Sequence, residues 1–394
     1  LIKWSEQGRL HIKYTSVTSA GAATNDTAVF TIADAGITAA AIRKGQTVMI
    51  SDNTAGSTLN NKGIVTDVTG LTFTVAFYEA GGQENYAGSV TVFIYGSEFK
   101  KGSNGMEGAL EAESEIFENS PIIIKDKYTV SGSDMAQIGW VEVTTENGAN
   151  GYLWYLKSEH ETRLRFEDYL ETAMIEAVPA EANSGAIAAT GDLGNKGSEG
   201  LLYVLENRGN VAAGALASLD EWDAVVARLD KQGSIEENVL FVDRTFSFEI
   251  DNMLAAQNNF GSSGASYGLF DNDTDMALNL GFTGFRRGYD FYKSDWKYLN
   301  DATMRGGLVG GAINGVLVPA GSTSVYDQVM GKNAKRPFLH VRYRASEAED
   351  RKMKSWVVGS AGGASNSDKD AMEVHFLSER ALCTLGANNF FLFK

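Results

Sequence analysis

Residues 152–178 read YLWYLKSEHETRLRFEDYLETAMIEAV, and this stretch decides how the chain is understood. Leu153, Leu156, His160, Leu164, Met174 and Val178 fall near one helical face, interrupted by Glu167 and Glu171. Glu159 precedes Arg163 by four residues and Glu161 precedes Arg165 by four, the order that supports a helix. Asn150-Gly151 marks its start and Pro179 its stop. The pattern predicts one unbroken helix over 152–178, about 40 Å long. A strut of that length suits a large plate that keeps its shape under load better than it suits a small enzyme.

Composition sets the bounds around this strut. The 394 residues are enough for two or three compact units. Lysine and arginine number 34 against 50 aspartates and glutamates, a net charge of −16. That balance favours solubility and argues against nucleic acid as a tight, sequence-read ligand. The single cysteine, Cys383, excludes an internal disulfide and fits a reducing compartment, or stability gained elsewhere. Forty-three glycines against four prolines suit many tight turns in a strand-rich fold. No stretch approaches the roughly 20 apolar residues of a membrane-spanning helix, so no membrane partner is expected. The chain begins Leu1-Ile2-Lys3, with neither a methionine nor a signal-peptide pattern, and reads as a fragment of a longer product.

Residues 1–24 carry one short strand pattern, Leu10 to Tyr14, followed by a Ser/Thr/Gly/Ala stretch that reads as an extended arm. Residues 25–96 hold five strand candidates between Gly/Asn turns: Ala28 to Ile32, Gln46 to Ser51, Gly63 to Val68, Leu71 to Tyr78 and Ser89 to Tyr95. Leu71, Phe73, Val75 and Phe77 alternate with Thr72, Thr74, Ala76 and Tyr78, as a half-buried strand requires. This is a small all-β inserted domain, a barrel or a sandwich. Residues 97–151 are charged and turn-rich, with strands Ile122 to Val130 and Ile138 to Val143, and read as a long hairpin or extended loop. After the strut, Glu181 to Gly200 reads as a mobile connection. Leu201 to Asn207 reads as a short helix. Ser218-Leu219-Asp220-Glu221 forms a capping box ahead of Trp222, Val225, Val226 and Leu229, with Gly233 as the stop. A strand, Asn238 to Asp243, and a helix, Phe246 to Asn258, follow. Asn314-Gly315 between two apolar runs signals a hairpin. Phe338 to Ala345, Met372 to Leu377 and Ala381 to Leu385 close the chain as strands. The order places the chain in the α+β class.

Catalytic hardware is sparse. His11, His160, His340 and His375 show no metal-ligand spacing, and one cysteine makes a zinc site hard to build. Asp271-Asn272-Asp273-Thr274-Asp275 begins like a calcium loop, but Met276 and Phe282 stand where glycine and glutamate are needed, so it reads as a solvated acidic turn. Gly261 to Gly268 lacks the ending of a phosphate loop. The Gly-x-Ser-x-Gly spacing around Ser266 lacks the strand and helix of a nucleophile elbow. Cys383 reads as a small buried apolar group. No base and nucleophile converge, so no enzyme, cofactor or metal is expected. Basic residues do cluster. Lys332, Lys335 and Arg336 precede a strand bearing Arg342 and Arg344, Arg351, Lys352 and Lys354 follow, and Arg286-Arg287 form a second spot. Acid gathers at Glu107, Glu111, Glu113, Glu115 and Glu118. Arg286, Arg287, Lys335, Arg336, Arg351, Glu111 and Glu113 are therefore candidates for pairing between copies of the chain. The alternatives are a solvated rim and direct contact with DNA phosphates.

Several stretches resemble the major capsid proteins of tailed bacteriophages. They are Phe117-Glu118-Asn119-Ser120-Pro121-Ile122-Ile123-Ile124-Lys125, Gly132-Ser133-Asp134-Met135-Ala136-Gln137-Ile138-Gly139-Trp140, Leu156-Lys157-Ser158-Glu159, Leu205-Glu206-Asn207-Arg208-Gly209-Asn210-Val211, Glu373-Val374-His375-Phe376-Leu377-Ser378-Glu379-Arg380 and Gly386-Ala387-Asn388-Asn389. The resemblance covers roughly residues 97–394 and leaves 25–96 outside, as an insertion would. It extends in a narrower form to large-headed phages, crAss-like gut phages among them. It implies the tailed-phage capsid fold, with a spine helix at 152–178, peripheral and axial domains within 152–394, an extended loop at 97–151 and an arm at 1–24. It further implies hexamers and pentamers closing an icosahedral phage head around double-stranded DNA, in a virion capsid assembled in the host cytoplasm. Portal, scaffold and auxiliary head proteins would be partners. An encapsulin-type compartment shell shares the implied fold. A β-rich surface adhesin is the reading from a different class, suggested by the 25–96 module.

Overall fold

The computed structural model describes residues 1–8, 13–19, 26–34, 37, 40–80, 86, 88–108, 114–137, 143–144, 150–151, 154–182, 184–186, 194–214, 216–258, 283–308, 310–327, 332–344, 347–363 and 365–394. They fall into two compact units, one of Ser5–Ile116 and one of Leu1–Trp4 with Phe117–Lys394.

The first unit is a closed, all-antiparallel barrel. Its strands run in the order Lys13–Ser19, Thr27–Ile32, Thr72–Phe77, Asn60–Thr69, Gln46–Asp52 and Ser89–Ser97, the last pairing with the first. Alternate residues point inward, so Phe30, Ile32, Val48, Ile50, Phe73, Val75, Val90 and Val92 fill the interior. Phe30 stacks on Phe73 at 5.7 Å. One strand corrects the sequence reading. Lys13–Ser19 lies in the stretch read as an arm, yet it closes the barrel. A bulge between Tyr14 and Val17 breaks the period of two, so the inward pair stands three residues apart and the alternation is invisible in sequence.

The second unit carries two sheets. The six-stranded sheet runs Asn210–Ala212, Phe391–Phe393, Gly315–Pro319, Glu237–Val242, Tyr289–Asp295 and Gly284–Arg287, mixing parallel and antiparallel neighbours. Helices Leu219–Gln232 and Arg244–Asn258 cover one face. They lay Trp222, Val225, Leu229, Phe246 and Ile250 on Leu240, Val242, Phe291 and Phe393. On the other face Val316 and Leu392 meet Leu201, Leu202 and Leu205 of helix Leu201–Arg208. Fully burying each such side chain contributes about 1.5–3 kcal/mol. The capping box is present. Ser218 Oγ accepts from the Glu221 amide at 3.4 Å, and Glu221 Oε2 accepts from the Ser218 amide at 3.0 Å. The Ser218 side chain, then the Ser218 and Ala217 amides, hold the Glu221 carboxyl below its ordinary value. Gly233 ends this helix in the left-handed region. Ser218→Ala should cost about 1 kcal/mol, read as a shifted denaturation midpoint.

The four-stranded sheet is organised by one long strand, Ala371–Thr384. Ile122–Ser131 pairs along one edge, and Lys354–Gly359 and Leu339–Tyr343 lie in tandem along the other. The sequence reading split this strand at Ser378-Glu379-Arg380; its strand Ile122 to Val130, read as part of a long hairpin or extended loop, is present over Ile122–Ser131 and lies in this sheet. The polar trio stays in the ladder because it is partnered: Ser378 Oγ donates to the Lys352 carbonyl at 2.6 Å, and Glu379 meets Arg344 at 3.1 Å and Arg351 at 2.6 Å. The Asn314-Gly315 hairpin signal also fails. Gly315 opens a strand between two neighbours, and a Cβ there would sit 2.7 Å from the Phe241 carbonyl oxygen. The glycine answers a close approach, not a turn. The far end of the 181–200 connection pairs back on the residues just before it, with a bridge between Pro179 and Gly197. The strand expected at Ile138 to Val143 lies mostly outside the described residues. Val143–Thr144 pairs there with Asn150–Gly151.

Candidate assembly surfaces

The strut is a helix over Trp154–Glu176, 23 residues and about 35 Å long. It stops two residues before the proline-constrained Val178, which Pro179 disfavours from the helical region. Its seated face differs from the one expected. Thr162, Phe166, Leu170 and Met174 are buried, while His160 is exposed and Leu164 and Val178 are 47% and 58% exposed. Leu153 and the side chain of Leu156 lie outside the described residues. Phe166 decides the face: it stacks on Phe376 of the long strand at 5.7 Å, within a cluster of Val130, Leu170, Met372 and Val374. Arg165 adds a two-pronged bond to Asp126 on the neighbouring strand, at 2.9 and 3.0 Å. The helix's own ion pairs are Lys157–Glu161 at 3.5 Å and Arg163–Glu167 at 3.2 Å, not the pairs read from the sequence. At the far end Glu176 accepts from Tyr298 at 2.6 Å and from Arg305 at 2.5 Å. Burial, then the Glu176 carboxylate, pushes the Tyr298 phenol well above its ordinary value. The outward side shows Leu164, Asp168, Tyr169 and Glu171.

A second fastening was invisible in sequence. Asn119 is buried and uses every polar atom of its side chain. Its amide nitrogen donates to the Glu199 and Leu382 carbonyls at 3.0 and 2.8 Å, and its oxygen accepts from Ser198 Oγ and the Glu199 amide at 3.0 and 2.9 Å. It ties its own strand, the approach to helix Leu201–Arg208 and the long strand into one joint. Asn119→Ala strands these buried groups and should cost about 2–3 kcal/mol, measured by chemical denaturation.

The candidate pairing residues separate into three groups. Arg286, Arg287 and Arg351 already have partners within the chain. Arg286 holds Asp290 across the ladder, Arg287 holds Asp223 with a 2.7 Å bond from Nη2, and Arg351 holds Glu379 at 2.6 Å. The facing guanidinium holds each of Asp223 and Asp290 below the ordinary carboxylate range. Lys335 is exposed and pairs with none of the described carboxylates, and Arg336 is half-buried. Glu111 and Glu113 lie outside the described residues. So do His11, the acidic turn Asp271–Asp275 and the glycine-rich stretch around Ser266. His375 stacks on Trp356 at 5.0 Å, and Cys383 is buried beside Trp4 and Leu385. Among the described residues no group of three or more His, Cys, Asp or Glu side chains could hold a metal ion, and no helix is long and apolar enough to cross a membrane.

No family model matches the chain, and no curated protein matches it. It is similar to a solved structure from Gordonia phage Cozz at 13% identity and TM-score 0.41, over 76% of this chain and 77% of that one. It is similar to the bacteriophage PhiM1 mature capsid at 10% identity and TM-score 0.39, over 76% and 78%. It is also similar to the holo-SrpI encapsulin complex of Synechococcus elongatus PCC 7942 at 9% identity and TM-score 0.34, over 73% and 77%. Likenesses at these scores fix neither family nor function.

Proposed function

We propose that this chain is a structural major capsid protein of the tailed-phage type, self-assembling into hexamers and pentamers of an icosahedral head that encloses double-stranded DNA. The observation that carries this reading is the strut. Phe166 and Arg165 bind it to a sheet and Glu176 anchors its end, while Leu164 and Tyr169 on its other side are each 47% exposed. That is a stiff plate with an uncovered outer rail, and a shell sums many weak contacts along such rails. In this reading the four-stranded sheet and strut form the peripheral domain, the six-stranded sheet the axial domain, and 97–151, apart from the sheet strand Ile122–Ser131, the extended loop region. The barrel is the inserted domain, and the arm shortens to the residues before Lys13. The working location is the virion capsid, assembled in the host cytoplasm with portal, scaffold and auxiliary head proteins. DNA is a non-specific neighbour.

The test is electron microscopy of the chain expressed with its candidate scaffold and portal. Closed shells are expected. A persistent monomer under those conditions rejects the proposal, and shells that hold a protein cargo and exclude DNA favour the compartment reading.

A further inference from the structure

The strand Lys332–Pro337, half of a two-stranded ribbon with Ser322–Asp327, passes through Phe338 into the sheet strand Leu339–Tyr343. His340 spans that joint. Its Nδ1 lies 3.0 Å from the Pro337 carbonyl oxygen, and its Nε2 lies 3.2 Å from Nε of Arg342. A carbonyl oxygen only accepts and a guanidinium only donates. Nδ1 must therefore carry the hydrogen and Nε2 must be bare. The ring is held neutral, in one tautomer, with both nitrogens occupied.

Its surroundings oppose a proton. The charges that act on the ring are Arg342 on its own strand and Arg336 on the ribbon, both positive. Across the ladder stands Cys383, buried. The strands Ile2–Gln7 and Ser114–Asn119 bring Trp4 and Phe117 to the cluster around Cys383 and carry Lys3, Glu6, Glu115 and Glu118, of which Lys3 and Glu118 pair at 3.0 Å. A proton added to the Nε2 lone pair would turn that nitrogen into a donor facing a donor. We propose that His340 is an acid-sensitive latch, whose protonation breaks its bond from Arg342 and loosens the joint between the ribbon and the sheet. The inference stands apart from the capsid reading.

Burial first, then the arginines, lowers the imidazole's pKa below its ordinary value, despite the opposing Pro337 bond. An unfolded histidine titrates near about 6.5. Between the two values the unfolded chain binds more protons. The latch's contribution is thus whole above about pH 6.5 and is lost as pH falls towards the folded value.

The test compares the full chain with His340→Gln and Arg342→Met in denaturation from about pH 8 to about pH 5. Glutamine keeps a donor for Pro337 and an acceptor for Arg342 but binds no proton. The other three histidines are common to all three proteins. The unfolding constant of the wild type, relative to H340Q, should be flat above about pH 7 and rise several-fold by about pH 5. Backbone hydrogen exchange over 332–343, normalised to H340Q at each pH, should accelerate in acid in the wild type alone. R342M should blunt the acid loss, and that comparison decides the matter if H340Q does not fold. Parallel pH curves for wild type and H340Q, or equal acceleration of exchange in both, overturn the proposal.

Discussion

Phe166→Ala should lower stability by about 3–5 kcal/mol, while Leu164→Ala, two residues away, should change it by less than about 0.5 kcal/mol. The two side chains differ in what they touch. Phe166 is fully buried against Phe376, between the helix and the long strand, where neighbours cannot collapse into the space it leaves. Leu164 is 47% exposed and lies outside the buried core clusters. Urea denaturation of both variants checks the pair. Equal losses would mean that the helix is seated on the face read from sequence and that the strut is misplaced. Assembly reverses the ranking. If the outer rail makes contacts between copies, Leu164→Asp should leave the monomer folded and reduce shell yield by microscopy, and unchanged yield would remove Leu164 from any interface.

What could be read in advance followed the range of the interactions involved. The capping box at Ser218 and the stop at Gly233 involve residues a few positions apart and were legible in full. The existence of the strut was legible too, because helix formation is mostly local. Its seated face was not. Apolar residues lie on several sides of this helix, and the choice is made by Phe376, more than two hundred residues further along the chain. The barrel's first strand was hidden by a bulge, which shifts the inward pattern by one residue. Asn314-Gly315 misled because glycine serves two needs, a permissive backbone and a missing Cβ, and sequence does not say which. Ser378-Glu379-Arg380 resembled a break because buried polar residues are unusual, and their partners on 344–352 are distant in sequence. Of the candidate pairing residues, Arg286 has its partner four positions away and could have been matched to Asp290 across a tight hairpin. Arg287 reaches Asp223, and only the folded chain brings those together.

Asp251→Ala should be among the most damaging single changes in the second unit, at about 3–5 kcal/mol, because it leaves a lysine charge without its counter-ion in a nearly dry place. Asp251 on helix Arg244–Asn258 pairs with Lys293 on strand Tyr289–Asp295, and their side chains are only 12% and 8% exposed. The Ser247 carbonyl, 3.4 Å from Nζ, is too weak a partner to replace a carboxylate. Lys293→Met in the same background removes the charge and keeps the stem's packing, so the double variant should recover most of the loss. Denaturation of the wild type, both single variants and the double variant measures the coupling directly. Additive losses would show that the pair contributes nothing as a pair and that the helix is held to the sheet by its apolar contacts, Phe246 and Ile250 among them. A coupling above about 2 kcal/mol would show that the buried charges fix how that helix sits on its sheet.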